Sequence, residues 1–386
     1  MGLKNKDYEK RKIKLFNEYP AIIDLAKKAK KRIPHVAWEY LNAGTGDEDL
    51  LDRNRAAFQK ITFTPQFCKG IMQPTINTTL FGQEYAAPFG IAPVGLTGLM
   101  WARTEHYLAA SANRYQIPYT LSTVATETPE TVGKHIGNMG WFQLYPPKEV
   151  EMRQSLLQRA NDNGFHTLLL TADVPMPSRR ERTKRAGLKM PPKITPKMIW
   201  EGMTHPAWTI QTLKNGLPRL RTIEQYATHK DMKFVSSVVG NRLGGTLSWD
   251  YCKSVRNEWK GPIVLKGVMH PKDAAKAVEV GLDGIVVSNH GGRQFNGARA
   301  AIDALPEIVK EVDGKTKILF DSGVRTGLDI MRALHLGADF VLLGRAYIYG
   351  VAALGSIGGD HVTEILMEDL KNNMVQYGVE TIAELV

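Results

Sequence analysis

Cysteine is scarce in this chain of 386 residues, long apolar runs are absent, and each shortage removes a class of protein. Cys68 and Cys252 lie far apart with no His or Cys at ligand spacing, which argues against a disulfide framework and against structural zinc, so no metal is expected. No apolar run reaches the roughly 18 residues that a spanning helix needs. Even the stretch from Phe340 to Gly359 is broken by Arg345. The N-terminus is lysine-rich, but no apolar segment follows it, and Lys6 stands where a myristoylation signal wants Ser or Thr. A cytoplasmic location is the expectation. Helix-turn-helix and finger spacings are missing and aromatics do not interleave with basic residues, which argues against nucleic acid as a partner.

What is present is a local excess of positive charge on an ordinary globular composition. The net charge is +11, but residues 1–32 carry eleven Lys/Arg against four Asp/Glu and residues 179–197 carry eight against one. Those two segments hold +14, so the remainder is about −3. Around and after the second segment stand Met190, Met198, Ile199, Trp200, Met203 and Trp208. Apolar mass beside lysines suits an anionic membrane surface, and hence a peripheral place on the inner face of the cell membrane. With 43% apolar residues the chain can bury a full core, and barrels of about 250 residues commonly form one domain.

Eight short apolar runs end at polar or glycine positions: 88–93, 118–122, 141–145, 167–173, 262–267, 284–290, 317–323 and 340–345. Stretches with helical periodicity lie between most of them, three closing at Gly164, Gly281 and Gly337, where a helix C-cap favours glycine. Apolar strands alternating with amphipathic helices imply parallel pairing, and eight units imply a closed (β/α)₈ TIM barrel of the α/β class. One domain, 1–386, is expected: an N-terminal helical segment over 1–87, a barrel over 88–360 and a C-terminal helix or tail over 361–386. A gap of nearly ninety residues follows the fourth strand, too long for a bare loop. It predicts an insertion of short helices over 174–261.

Barrel active sites gather at the C-terminal strand ends. The residues closing these strands are Ser122, Gln143, Tyr145, Thr171, Asp173, Lys266, Ser288, His290, Arg293, Asp321, Ser322, Gly323, Gly344 and Arg345. The most telling stretch is GIVVSNHGGRQF (284–295), where a buried-type strand delivers an imidazole and, three residues on, a guanidinium. A proton acceptor beside a carboxylate clamp can handle a small acid. DSGVR and GR, from the last two strands, supply small residues and two arginines for a phosphorylated cofactor. An unrelated phosphate-binding barrel would share those glycine-rich ends but has no need of SNHGGR. A catalytically dead binding module would not need every polar strand end intact.

From about Tyr19 onward the chain resembles the FMN-dependent L-2-hydroxy acid oxidases and dehydrogenases, most closely the membrane-associated lactate and mandelate dehydrogenases. SNHGGRQ matches that family's signature, and WEYLNAGTGDE, IAPVGL, LST, FQLY, TADVP, RRER, VLKG, FDSGVRTG and LLGRA follow its order and spacing. The resemblance implies His290 as the base with Asp173 paired to it, and Tyr40, Tyr145, Arg180 and Arg293 around the substrate. It implies FMN held by Pro93, Val94, Gly95, Ser122, Gln143, Thr171, Lys266, Ser288, Asp321, Ser322, Gly323, Val324, Arg325, Gly344 and Arg345. The implied partners are an L-2-hydroxy acid, a quinone or other electron acceptor and copies of the chain in a homo-oligomer, with a tetramer expected. The family's oxidases have Ala at position 95, where Gly95 resembles the dehydrogenase and monooxygenase branches, implying poor use of oxygen. Val124 replaces a pocket tryptophan of glycolate oxidase. A soluble peroxide-forming oxidase and a lactate monooxygenase are the alternatives. With about twenty residues ahead of the match, no haem domain is expected.

Overall fold

The computed structural model describes residues 2–188, 195–229, 238–244 and 247–385. Met190, Lys189 and Lys193 of the basic segment lie outside the described residues. Two short strands, β1 (Thr78–Leu80) and β2 (Gln83–Tyr85), pair antiparallel. Then β3 (Phe89–Ile91), β4 (Tyr119–Ser122), β5 (Gly140–Leu144), β6 (Phe165–Thr171), β7 (Ile263–Val268), β8 (Gly284–Val287), β9 (Lys317–Phe320) and β10 (Phe340–Leu343) follow. These eight close into a parallel barrel in chain order, with β10 returning to β3. Each falls within one of the eight apolar runs or extends past one end of it by a residue or two. Every residue of β8 and β10 is buried, which is why these strands read as continuous apolar runs rather than alternating ones. The three predicted C-cap glycines carry the expected positive φ, with Gly164 at 83°, Gly281 at 79° and Gly337 at 94°.

The N-terminal segment departs from the helical expectation at one place. Helices run over 2–18, 22–32, 35–42 and 49–59, but β1 and β2 form a hairpin before the barrel begins. Strands of three residues are too short to show a period, and the turn residues Phe81 (φ 53°) and Gly82 (φ 77°) lack the Asn-Gly pattern that marks such turns. The hairpin stops the N-terminal mouth of the barrel. Phe81 and Tyr85 pack on Trp141, whose indole N–H donates to the Tyr85 hydroxyl at 3.1 Å.

Within the 174–261 gap, helices occupy 181–185, 196–204, 206–215, 221–224 and 249–258. This excursion lies on the barrel's C-terminal side, anchored by Trp208 N–H donating to the Leu99 carbonyl at 2.9 Å and by Thr222 donating to the Glu127 carbonyl at 2.6 Å. The two tryptophans therefore part ways. Trp200 is 65% exposed beside Ile199, Met203 and Leu213, whereas Trp208 is tied to the protein body and offers little to a surface. No helix among the described residues is long and apolar enough to cross a membrane.

Candidate active site

Strand ends deliver the polar groups into one cavity of about 730 Å³ at the C-terminal mouth of the barrel. Four residues that line it, Leu96, Arg180, His290 and Ser322, have φ of 55°, 43°, 58° and 86°, a backbone region costly for residues with a Cβ. Surrounding bonds hold that strain. Ser322 Oγ accepts from the Asn289 and Gly291 backbone N–H groups at 3.2 and 3.0 Å and donates to Asp321 at 2.8 Å. Ser288 Oγ accepts from His290 N at 3.1 Å and from Lys266 Nζ at 3.0 Å. The loop after β8 is thus pinned to the end of β9.

His290 Nδ1 donates to Asp173 Oδ1 at 2.8 Å, which leaves Nε2 toward the cavity, 3.4 Å from the Tyr145 hydroxyl. Burial holds the His290 imidazole below its ordinary range despite the pull of Asp173, so it rests neutral. Burial alone would raise Asp173, but His290 and the Lys266 cation outweigh it and keep the carboxylate ionised. Lys266 would be depressed by burial, yet Asp321, 2.8 Å away, and Asp173 hold it charged. Burial also pushes the Tyr145 phenol up to about 12.

The same cavity is lined by guanidiniums that form no salt bridge with a carboxylate among the described residues. Arg293 Nη1 donates to the carbonyls of Tyr40, Leu41 and Ala43 at 2.8, 3.3 and 3.2 Å, its plane 5.1 Å from the Tyr40 ring. Burial, with Arg180 nearby, pulls it down to about 9. Arg345 donates to the carbonyls of Leu41, Gly291 and Ala43 at 3.1, 2.8 and 3.1 Å, and burial brings it to about 10. Cations that lose hydration and gain only neutral carbonyls are poised for an anion.

Most of the sequence-derived candidates line the cavity: Tyr40, Pro93, Val94, Gly95, Gln143, Tyr145, Thr171, Arg180, Lys266, His290, Arg293, Asp321, Ser322, Gly323, Val324, Arg325, Gly344 and Arg345. Ser122, Asp173 and Ser288 stand one bond behind, against Gln143 (2.8 Å), His290 (2.8 Å) and Lys266 (3.0 Å) respectively. Sequence reasoning missed the apolar wall of Met176, Leu188, Leu220, Val239 and Leu243, contributed by the excursion. These residues share no period. Leu243 arrives through a single bridge to Pro147, just after Tyr145, which nothing in the sequence announces.

The cavity fits FMN in chemistry along its length. Arg325 and Arg345 with Gly323 and Gly344 offer a cationic, small-residue end for a phosphate, Gln143, Thr171 and Lys266 a polar middle, and Pro93 to Gly95 a backbone wall. Comparison with known proteins agrees. The model of the FMN-dependent dehydrogenase family matches residues 29–386. An L-lactate dehydrogenase of Ectopseudomonas mendocina is 38% identical over 367 residues, 95% of this chain and 97% of that protein. One of Xanthobacter autotrophicus is 35% identical over 94% of each chain. The structure of the monotopic membrane protein (S)-mandelate dehydrogenase superposes with a TM-score of 0.90 at 31% identity, covering 95% of this chain and 97% of that one. Mandelate oxidase gives 0.81 at 30%, with the same coverage. By sequence, barrel and cavity alike, this chain belongs to the FMN-dependent dehydrogenases, and its cofactor is FMN.

Proposed function

We propose that the protein oxidises a lactate- or mandelate-like L-2-hydroxy acid to the 2-keto acid and passes the electrons to a quinone or another acceptor in preference to oxygen. The observation that carries this reading is the pairing of Arg293 and Arg180 with a neutral, Asp173-bonded His290 on one cavity. Bound FMN supplies the two-electron oxidant. Arg293 and Arg180 bind and orient the substrate carboxylate, and Tyr40 and Tyr145 hydrogen-bond the carboxylate and the 2-hydroxyl. His290 Nε2 takes the substrate proton, and Asp173 stabilises the resulting imidazolium. Lys266 keeps a fixed positive charge at the polar middle of the cofactor site. An anaerobic panel of L-lactate, L-mandelate, glycolate and longer acids, read by bleaching of flavin absorbance, tests the reading. Failure of every acid to bleach the flavin overturns it.

The direction of the His290 shift fixes a pH dependence. Because burial lowers the imidazole below 6.5, the neutral base persists down to that pH, and reduction by substrate slows only as pH falls through the lower folded value. The same shift makes the unfolded chain take the proton first, so His290's contribution to stability is present above pH 6.5 and fades below it. Stopped-flow reduction measured from about pH 5 to 9 should show an acid limb centred below 6.5. A limb centred above 6.5 contradicts the assignment.

The acceptor preference rests on Gly95 and on the exposed apolar residues of the excursion. A Cβ built on Gly95 would lie 2.5 Å from Val124 Cγ2, so alanine at this position needs Val124 to move. The Tyr40 hydroxyl donates to the carbonyl of the same residue at 3.1 Å, a bond that a substrate carboxylate would take over. Ile199, Trp200, Met203, Ile210 and Leu213 are each at least half exposed on helices 196–204 and 206–215, next to the basic segment. Apolar side chains beside lysines suit an anionic bilayer interface at about 1 kcal/mol per basic residue. Trp200→Ser with Met203→Ser should weaken salt-sensitive binding to anionic vesicles and leave anaerobic flavin reduction intact. Rapid oxygen consumption with stoichiometric peroxide, together with no vesicle binding by the parent, would favour a soluble oxidase.

A further inference from the structure

We infer that Gly267 is a positioning residue for the His290–Asp173 pair: a one-residue bulge at the end of β7 opens the space in which the Asp173 carboxylate stands. The inference rests on the reading of His290 and Asp173 given above. Along β7 and β8, Lys266 pairs with Val286 and Val268 with Val287, so Gly267 is skipped and the ladder shifts there. Its φ of 104° lies outside what residues with a Cβ adopt comfortably. Bulges of this kind re-aim side chains and occur beside active sites.

What the bulge makes room for is specific. A Cβ on Gly267 would come within 2.5 Å of both Cβ and Cγ of Asp173 and 2.8 Å of Oδ2. Contacts under about 3 Å force movement, and these are to the root of a short side chain with no flexible end to swing aside. The flanking bonds fix the bulge on both sides. Lys266 O accepts from Ala172 N at 2.8 Å, directly ahead of Asp173, and Val268 O accepts from Ser288 N at 3.3 Å, two residues before His290. One strand end therefore sets the spacing between the carboxylate and the imidazole, while Lys266 on its near side joins Asp321 and Ser288. Asp173 Oδ2 has no hydrogen-bond partner among the described residues, so Oδ1 alone bonds His290 and a small displacement breaks the pair. Gly267 does not line the cavity. It acts through Asp173.

The test is Gly267→Ala in the FMN-loaded enzyme, alone and combined with Asp173→Asn. FMN content should stay at the parent level, since the phosphate-end residues Arg325 and Arg345 follow other strands, β9 and β10. Flavin reduction should slow by about 10-fold or more, and the double variant should be no slower than Asp173→Asn alone, because the two changes remove one contact. An independent readout uses no substrate. NMR titration of the His290 ring should move to lower pH, since Asp173 is the group that raises the imidazole's proton affinity. Parent-like reduction with a parent-like titration overturns the inference, as do losses that multiply in the double variant. If Gly267→Ala fails to fold, Gly267→Ala with Asp173→Gly removes the clashing side chain and should regain FMN; failure to regain it also overturns the inference. If no hydroxy acid reduces the parent enzyme, the functional reading fails, but the ring titration still decides the positioning role.

Discussion

Replacing His290 with glutamine is expected to leave FMN bound and to slow flavin reduction by a 2-hydroxy acid by about 10²–10⁴, the usual scale for losing a positioned general base. Glutamine keeps a polar group that can reach Asp173, so the 2.8 Å contact and the loop geometry need not collapse. What is lost is a nitrogen able to accept a proton and hold it as a cation beside a carboxylate. The residues proposed to hold the cofactor lie elsewhere on the cavity wall, at Gln143, Lys266 and past the ends of β9 and β10. Stopped-flow reduction under anaerobic conditions separates the two steps, because substrate affinity and limiting rate are read from one titration. A variant that reduces its flavin near the parent rate would remove His290 from the mechanism and leave Tyr145, 3.4 Å from Nε2, as the group to examine.

How much of this was legible in the chain follows from where the information is stored. The barrel strands are buried on both faces, so each leaves an apolar run that ends abruptly, and the polar residues at those ends line the cavity or stand one hydrogen bond behind it. Fold and site were therefore written together. The hairpin of β1 and β2 was not legible, because three residues cannot carry a period and Phe81-Gly82 is not a recognised turn pair. Nor was the division between Trp200 and Trp208: both stand among lysines in the sequence, and only a tertiary bond to the Leu99 carbonyl separates an exposed side chain from an anchored one. Gly267 is a subtler case. The VLKG run reads as an ordinary strand end, and the bulge appears only when β8 is laid beside β7.

Arg293→Lys keeps a cationic side chain by name but should weaken both substrate binding and turnover, at about 1.5–3 kcal/mol for each charge-assisted bond lost, or roughly 10- to 100-fold. The reason lies in how the guanidinium is spent. Its hydrogen bonds to protein carbonyls among the described residues all run from Nη1, to Tyr40, Leu41 and Ala43, which leaves the rest of the planar fork for a carboxylate. A lysine ammonium is one point and must serve either the carbonyls or the ligand. Charge is the second problem. Burial and Arg180 pull the arginine from its ordinary range down to about 9, still protonated at neutral pH. A lysine begins near 10.4, and the same burial drives it toward the neutral form. Binding of the 2-keto acid product, which needs no proton abstraction, isolates this effect: its affinity for Arg293→Lys should strengthen as pH is lowered, while that of the parent stays level across the same range. Parent-like affinity and turnover in the variant would place the carboxylate elsewhere, and Arg180→Lys would then carry the test.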